Sequence, residues 1–239
     1  MNPLNHIRRA WSYKNRKRLP RDEYVDWIRM VNSGMLHEGN LYLFNYCVTN
    51  LPSNAPVIEI GSFAGLSSNI LSHYLRRANK PNSLISMDPW EFEGMVSGAT
   101  LPGSNVTFRD CRETVIEHFR RNVSLFSADH MPKHVSVTSD KFFDLWEKNA
   151  SITDFFGKET RLGGPISAAY IDGDHTYEQS FKDFRNVDRF LEVGGFIIFD
   201  DSADWSDWGS RKAAQEAARW PSYRLVVKNP NYCIQKISN

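Results

Sequence analysis

The stretch Ala168–Ser202, AAYIDGDHTYEQSFKDFRNVDRFLEVGGFIIFDDS, limits the chain to very few folds. It opens with a short apolar run ending in Asp172-Gly173-Asp174-His175. A segment of helical periodicity follows, then Gly194-Gly195, then a second apolar run ending in Asp200-Asp201-Ser202. Short apolar runs bounded by turn residues read as strands buried on both faces. Parallel strands joined by a helix present their carboxyl ends on one edge of the sheet. Asp172, Asp174, Asp200 and Asp201 are therefore expected to converge there. Clustered carboxylates repel one another and stay partly protonated unless a cation balances them, and their hard oxygens suit magnesium or a similar divalent ion. The plainer alternative is that each acid only caps the turn or helix that follows it.

A second strand-and-turn unit lies upstream. Pro56–Gly61 (PVIEIG) reads as a buried strand running into Gly61-Ser62-Phe63-Ala64-Gly65-Leu66-Ser67-Ser68 and then a helix to about Arg77. Glycines let a backbone turn sharply and approach a ligand, and a helix N-terminus offers free N–H groups. The spacing is G-x-x-x-G, not the G-x-G-x-x-G of dinucleotide folds, and Gly65 has a competing role in helix–strand packing. Ser83–Asp88 reads as the next strand. An acid at that point past a glycine turn is placed to hold a ribose diol; otherwise Asp88 caps the turn at Pro89.

The 239 residues, 41% hydrophobic and 24% charged, suffice for one sizeable α/β domain. A formal net charge of +1 gives no bulk field for a nucleic-acid partner. Cys47, Cys111 and Cys233 form an odd set without paired spacing and read as reduced thiols. No apolar run approaches the ~18 residues of a membrane span, and the basic N-terminal stretch lacks a signal-peptide core. A cytoplasmic protein is expected.

Residues 1–21 carry seven basic side chains and no acid. They read as a solvated, partly mobile arm, or as a weak peripheral contact to an anionic lipid or acidic acceptor. Helices are expected over Pro20–Val31 and Met35–Asn50, and His37 and Glu38 could reach an acceptor. The N-terminal helices are plausible pairing surfaces, so a homo-oligomer is expected. Glu91–Asp110, which includes Gly94 and Gly98, reads as a lid or substrate loop, or else as a disordered stretch. Helical periodicity also marks Arg112–Asn122. Val135–Thr138 reads as the third strand, with Ser139 and Asp140 either at an adenine edge or in a helix N-cap. Asn149–Pro165 reads as an insertion. Trp205 and Trp208 in ADWSDWG read either as lining an acceptor pocket or as lid residues packing on the body. Tyr223–Val227 and Tyr232–Ile237 read as a terminal antiparallel hairpin.

Taken in order, VIEIGSFAGLSS, SLISMD, YIDGDH, GGFIIFDD and the closing hairpin resemble class I S-adenosylmethionine-dependent methyltransferases. The nearest likeness is to the metal-dependent O-methyltransferase group, of the macrocin O-methyltransferase and cephalosporin hydroxylase-like kind, and more distantly to catechol O-methyltransferase. The resemblance covers about residues 35–239, leaving 1–34 as a basic arm and helix. It implies a Rossmann-like, doubly wound seven-stranded sheet of order 3-2-1-4-5-7-6 with the last strand antiparallel. It implies that Glu59, Gly61, Ser62, Gly65, Ser67, Asp88 and Asp172 bind the cofactor. Asp172, Asp200 and Asp201 would hold Mg2+ or a similar cation. His175 or Asp172 would be the base; Asp174 has no clear role in that group and reads as a support for the neighbouring ligands or as a loop cap. The implied reaction is methyl transfer to a hydroxyl of a small molecule, such as a sugar of a natural product or polysaccharide, or a phenol. A hydroxylase-like metal enzyme and a non-catalytic cofactor-binding scaffold are the alternatives on the same fold.

Overall fold

The computed structural model describes residues 3–91 and 98–239. Gly94 and the rest of 92–97, the middle of the expected lid, lie outside the described residues. The framework is a seven-stranded sheet of β1 (Val57–Ile60), β2 (Leu84–Met87), β3 (Lys133–Val135), β6 (Ile166–Ile171), β7 (Leu191–Phe199), β8 (Tyr223–Lys228) and β9 (Tyr232–Lys236). Its order is β3-β2-β1-β6-β7-β9-β8. The first five strands run parallel, while β9 pairs antiparallel with both β7 and β8. This is the expected 3-2-1-4-5-7-6 sheet. The insertion before β6 adds a separate hairpin of β4 (Ser151–Thr153) and β5 (Glu159–Arg161).

Side chains of successive strand residues enter opposite layers. Ile58, Ile60, Ala169, Ile171, Ile197 and Phe199 face a core shared with α6 (Ser139–Glu147), α7 (Tyr177–Asp188) and α8 (Gly209–Ala217). Val57, Ala168, Tyr170, Phe196 and Ile198 face α2 (Glu23–Val31), α3 (Glu38–Thr49) and α4 (Leu66–Arg77). The central strands are thus buried on both sides, which is why they read as unbroken apolar runs. A smaller cluster of Ala64, Trp90 and Phe119 lies under α5 (Phe108–Phe126).

Several boundaries move from their sequence-based positions. The third strand is Lys133–Val135, two residues earlier than expected, because Val135 is its last paired residue and Thr138 already caps α6 through Lys141 N–H. The cap is therefore Thr138, not Ser139 or Asp140. The helix expected over Arg112–Asn122 extends from Phe108 to Phe126, started by the Thr107 hydroxyl accepting from Asp110 N–H. The basic stretch is not a free arm throughout. Its residues Pro3–Asn15 form α1, and Lys17 N–H donates to Asn229 Oδ1 at 2.7 Å while Asn229 Nδ2 donates to Lys17 O at 2.9 Å. Among the described residues no helix is long and apolar enough to cross a membrane.

Phe184 joins α7 to the sheet. It is fully buried, with ring centroids 4.9 Å from Trp220, 5.2 Å from Tyr223 and 6.1 Å from Phe199. Phe184→Ala should lower unfolding stability by about 3–5 kcal/mol through lost transfer and cavity terms, read from urea denaturation with an unchanged m-value.

Candidate active site

The carboxyl edge of the parallel strands carries two clusters that share one backbone contact. Gly61 follows β1 with φ +84°, and a Cβ built on it would lie 2.0 Å from the Asp172 carbonyl oxygen at the tip of β6. Only glycine fits there. The turn is closed by Gly65 N–H donating to Ser62 O at 2.8 Å, and Gly65 itself has φ +88°. A Cβ on Gly65 would press on Val123 and Phe119 at 3.0 and 3.2 Å, so this glycine also serves helix packing. No side chain caps α4, which leaves its first N–H groups directed at the turn.

Asp88 braces the same turn. Its Oδ2 accepts Ser62 N–H at 3.0 Å and Phe63 N–H at 2.9 Å, and its Oδ1 accepts Trp90 N–H at 2.7 Å. Burial pushes its carboxyl above the usual range, against these backbone donors and Arg112. Glu59 is fully buried on β1. Its Oε2 accepts from the Ser68 hydroxyl, while Oε1 has no partner. Burial is the main cause that carries its carboxyl up to about 7; Ser67 and Ser68 oppose it, and Asp88 adds a small upward push. The Ser62 hydroxyl is also buried without a partner. Two orphaned polar atoms beside a glycine cradle and an open helix N-terminus match the polar end of an amino-acid-bearing cofactor, and the residues therefore fit S-adenosylmethionine.

The second cluster lies at the tips of β6 and β7. Burial, then the neighbouring Asp200 charge, holds the Asp172 carboxyl well above its usual range. Burial and then Asp201 raise Asp200 as well. Tyr170 O–H donates to Asp172 Oδ2 at 3.1 Å. Asp200 Oδ1 accepts from Asn40 Nδ2 at 2.5 Å and Asn231 Nδ2 at 2.7 Å. Asn231 Nδ2 also lies 3.0 Å from Asn40 Oδ1, and Ser202 N–H donates to Asn231 Oδ1 at 3.1 Å. Asp201, in the left-handed region at φ +47°, is partly exposed, 3.7 Å from His175 Nε2. The His175 ring lies 5.2 Å from Trp208.

The expected convergence of Asp172 with Asp200 therefore occurs, with Asp201 and His175 at its open side. Asp174 turns away: its Oδ1 accepts Thr176 N–H at 2.7 Å, capping the loop. Ser139 is tied inward to Asp183 Oδ1 at 2.6 Å, and Asp140 pairs with Lys182 at 2.6 Å. Among the described residues no group of three or more His, Cys, Asp or Glu side chains is gathered so as to hold a metal ion. The donors remain hard oxygens, and the mutual repulsion of Asp172 and Asp200 is what a divalent cation would relieve. Hard oxygens meet the chemical preference of such an ion, but the described side chains do not gather a complete ligand set. Sequence reasoning missed Tyr170, Asn40 and Asn231. The Asn229-Pro230-Asn231 run signalled only a turn, although Asn231 serves the site.

Strand order, glycine turn and the acid closing β2 define the class I methyltransferase fold. Residues 58–202 match the family described as a methyltransferase domain, and the chain belongs to that family. Over 88 residues it is 30% identical to the uncharacterized protein R132 of Acanthamoeba polyphaga mimivirus, a match that covers 33% of this chain and 39% of that protein. The chain thus spans less than half the length of that relative. The O-methyltransferase TomG of Streptomyces achromogenes, solved with S-adenosylmethionine, superposes with TM-score 0.57 at 13% identity, covering 98% of this chain and 97% of that one. The S-adenosylhomocysteine-bound methyltransferase PaMTH1 of Podospora anserina superposes with TM-score 0.58 at 13% identity, over 100% and 97%. At these identities the likeness is one of fold.

Glu59 generates a pH prediction. Its folded pKa of about 7 lies above the ordinary 4.5, so folding favours the protonated form. Stability from this group is complete below pH 4.5 and falls as pH rises to about 7, by at most about 3 kcal/mol. His134, held neutral by burial with a pKa of about 3, acts in the opposite sense below 6.5. The test is therefore a difference: Glu59→Gln should flatten the decline between pH 4.5 and 7 relative to the parent, in chemical denaturation at each pH.

Proposed function

We propose that the chain is an S-adenosylmethionine-dependent O-methyltransferase that acts on a hydroxyl of a small molecule and uses a divalent cation. The observation that carries this reading is the contact of Gly61 with the Asp172 carbonyl. It sets a cofactor-type turn and a carboxylate cluster side by side on one edge, where ligands of such sheets bind.

The chain's own residues have distinct tasks. Gly61, Ser62, Gly65 and Ser67, with the first N–H groups of α4, would cradle the methionine portion of the cofactor, and the free oxygen of Glu59 would meet its ammonium. Asp88 spends three of its roughly four lone-pair sites on backbone donors, leaving about one for a ribose hydroxyl. Asp172, Asp200 and Asp201 would hold Mg2+ or a similar ion. Bound S-adenosylmethionine supplies an electrophilic methyl group, and a bound cation lowers the pKa of a hydroxyl and fixes its direction.

His175 would take the acceptor's proton. It is partly exposed, with Nε2 3.7 Å from Asp201 Oδ2 at the open side of the acid cluster. Asp172 is the poorer candidate, since burial and Asp200 raise its pKa and favour the protonated carboxyl, which cannot accept a proton. The protein forms no covalent bond with the acceptor; it aligns hydroxyl and methyl. Trp205 and Trp208 near the opening favour a sugar or phenolic ring, since both pack on indole faces.

Incubation with methyl-labelled S-adenosylmethionine and a panel of sugars and phenols, with Mg2+ or EDTA, tests this. Label should enter an acceptor only in the Mg2+ arm. Asp201→Ala should lower kcat by about 100-fold or more if it serves the site's cation, with S-adenosylhomocysteine affinity unchanged. Full turnover of that variant in EDTA would remove the cation from the proposal. Asp88→Asn should weaken S-adenosylhomocysteine by about tenfold or more, since it loses a charge-assisted ribose contact and sets an amide nitrogen against a backbone N–H of the turn, read by calorimetry.

A further inference from the structure

Above the acid cluster, α1 and the start of α3 bring together side chains that the methyl-transfer chemistry leaves unused. Trp205 Nε1 donates to Ser12 Oγ at 3.0 Å, which seats α1 on the Trp loop. The Arg9 guanidinium lies 5.3 Å above the Trp205 ring and 5.8 Å from Tyr13, and it has no carboxylate partner among the described residues. The Tyr13 ring in turn lies 5.3 Å from His37, and the His37 ring 6.3 Å from Trp205.

Two buried N–H groups here have no acceptor among the described residues. His37 Nδ1 accepts Gly39 N–H at 3.0 Å, so in the neutral ring the proton sits on Nε2, and Nε2 is buried without a partner. Arg16 pairs with Glu38 through Nη2 and donates from Nη1 to Tyr13 O at 3.1 Å, while its Nε is buried without a partner. Burial and then the Arg16 charge lower the His37 pKa, with Arg9 adding to the effect and Glu38 and Asp201 opposing it. The lowered pKa favours the neutral, donating form of His37 beside two guanidiniums. An unsatisfied buried donor is costly, and a ligand that supplies oxygens recovers this.

We propose that Arg9, Arg16 and His37, with the Tyr13 and Trp205 rings, form the acceptor's anion subsite. It takes a carboxylate or phosphate carried by a hydroxylated ring or sugar. This rests on the O-methyltransferase reading and adds the charge of the substrate to it. The donors are N–H groups only, so they select an oxygen-rich anion, and the indole beneath Arg9 offers a ring face.

Direct binding separates this proposal from the reading beneath it. Calorimetry in the presence of S-adenosylhomocysteine compares 3,4-dihydroxybenzoate with catechol, and glucose 6-phosphate with glucose. The acidic member of at least one pair should bind about tenfold tighter, the measure of one charge-assisted contact; which pair responds identifies carboxylate or phosphate. Arg9→Gln, an exposed position, should abolish that preference and leave S-adenosylhomocysteine affinity unchanged. His37→Phe, which keeps a ring and removes the donor, should weaken the acidic member by a comparable factor. No preference in either pair, or a preference that survives Arg9→Gln, overturns the subsite while leaving methyl transfer standing. Failure to bind S-adenosylhomocysteine would sink the methyl-transfer reading, and the same pairs titrated without it would still decide the subsite.

Discussion

The arrangement depends on two carboxyl groups, Asp172 and Asp200, being forced together where neighbouring strands end. Each is raised by burial and by a neighbouring acid, so the pair is costly unless a proton or a cation sits between the oxygens. The fold does not relieve this by moving them apart. It brings neutral donors to them: Tyr170 to Asp172, and Asn40 and Asn231 to Asp200. Those donors come from β6, α3 and the turn before β9, so three elements are tied to the strain of one pair. A structural cap would need none of this, since one backbone N–H serves, as Asp174 shows.

The same crowding links the two halves of the site. The Gly61 backbone passes so close to the Asp172 carbonyl that no side chain fits between them. Asp88 then holds the Ser62 and Phe63 amides in place from the next strand. The cofactor-type turn and the acid pair are consequently set at a distance fixed by main chain, not by flexible side chains. For a reaction whose rate rests on alignment, main-chain positioning matters more than any single contact.

What could be read from the sequence follows from how local the signals are. The strands are apolar runs buried on both faces, and their order emerged from one resemblance spread over five motifs. Glu59, Gly61, Asp88, Asp172 and Asp200 all lie at strand ends, where sequence position fixes spatial position. The misjudged third strand, Lys133–Val135, carries a buried His134 whose neutrality is a tertiary effect of Trp90 and Phe119 packing on it. Asn40 and Asn231 were invisible for a similar reason: they lie 160 and 31 positions from Asp200, and amides on a helix and in a turn have no spacing that betrays a shared partner.

The basic N-terminal stretch shows the limit most clearly. Its composition suggested solvation, because charge counts do not distinguish a side chain facing water from one lying on an aromatic ring. In the fold, Arg9 lies over Trp205, Arg16 closes on Tyr13 and Glu38, and Lys17 grips Asn229 through its backbone. The sheet edge can place a reactive hydroxyl, but strand tips common to many acceptors say little about which molecule carries it. Discrimination has to come from the elements that roof the edge, and here these supply the Arg16 Nε and His37 Nε2 N–H groups without an acceptor among the described residues.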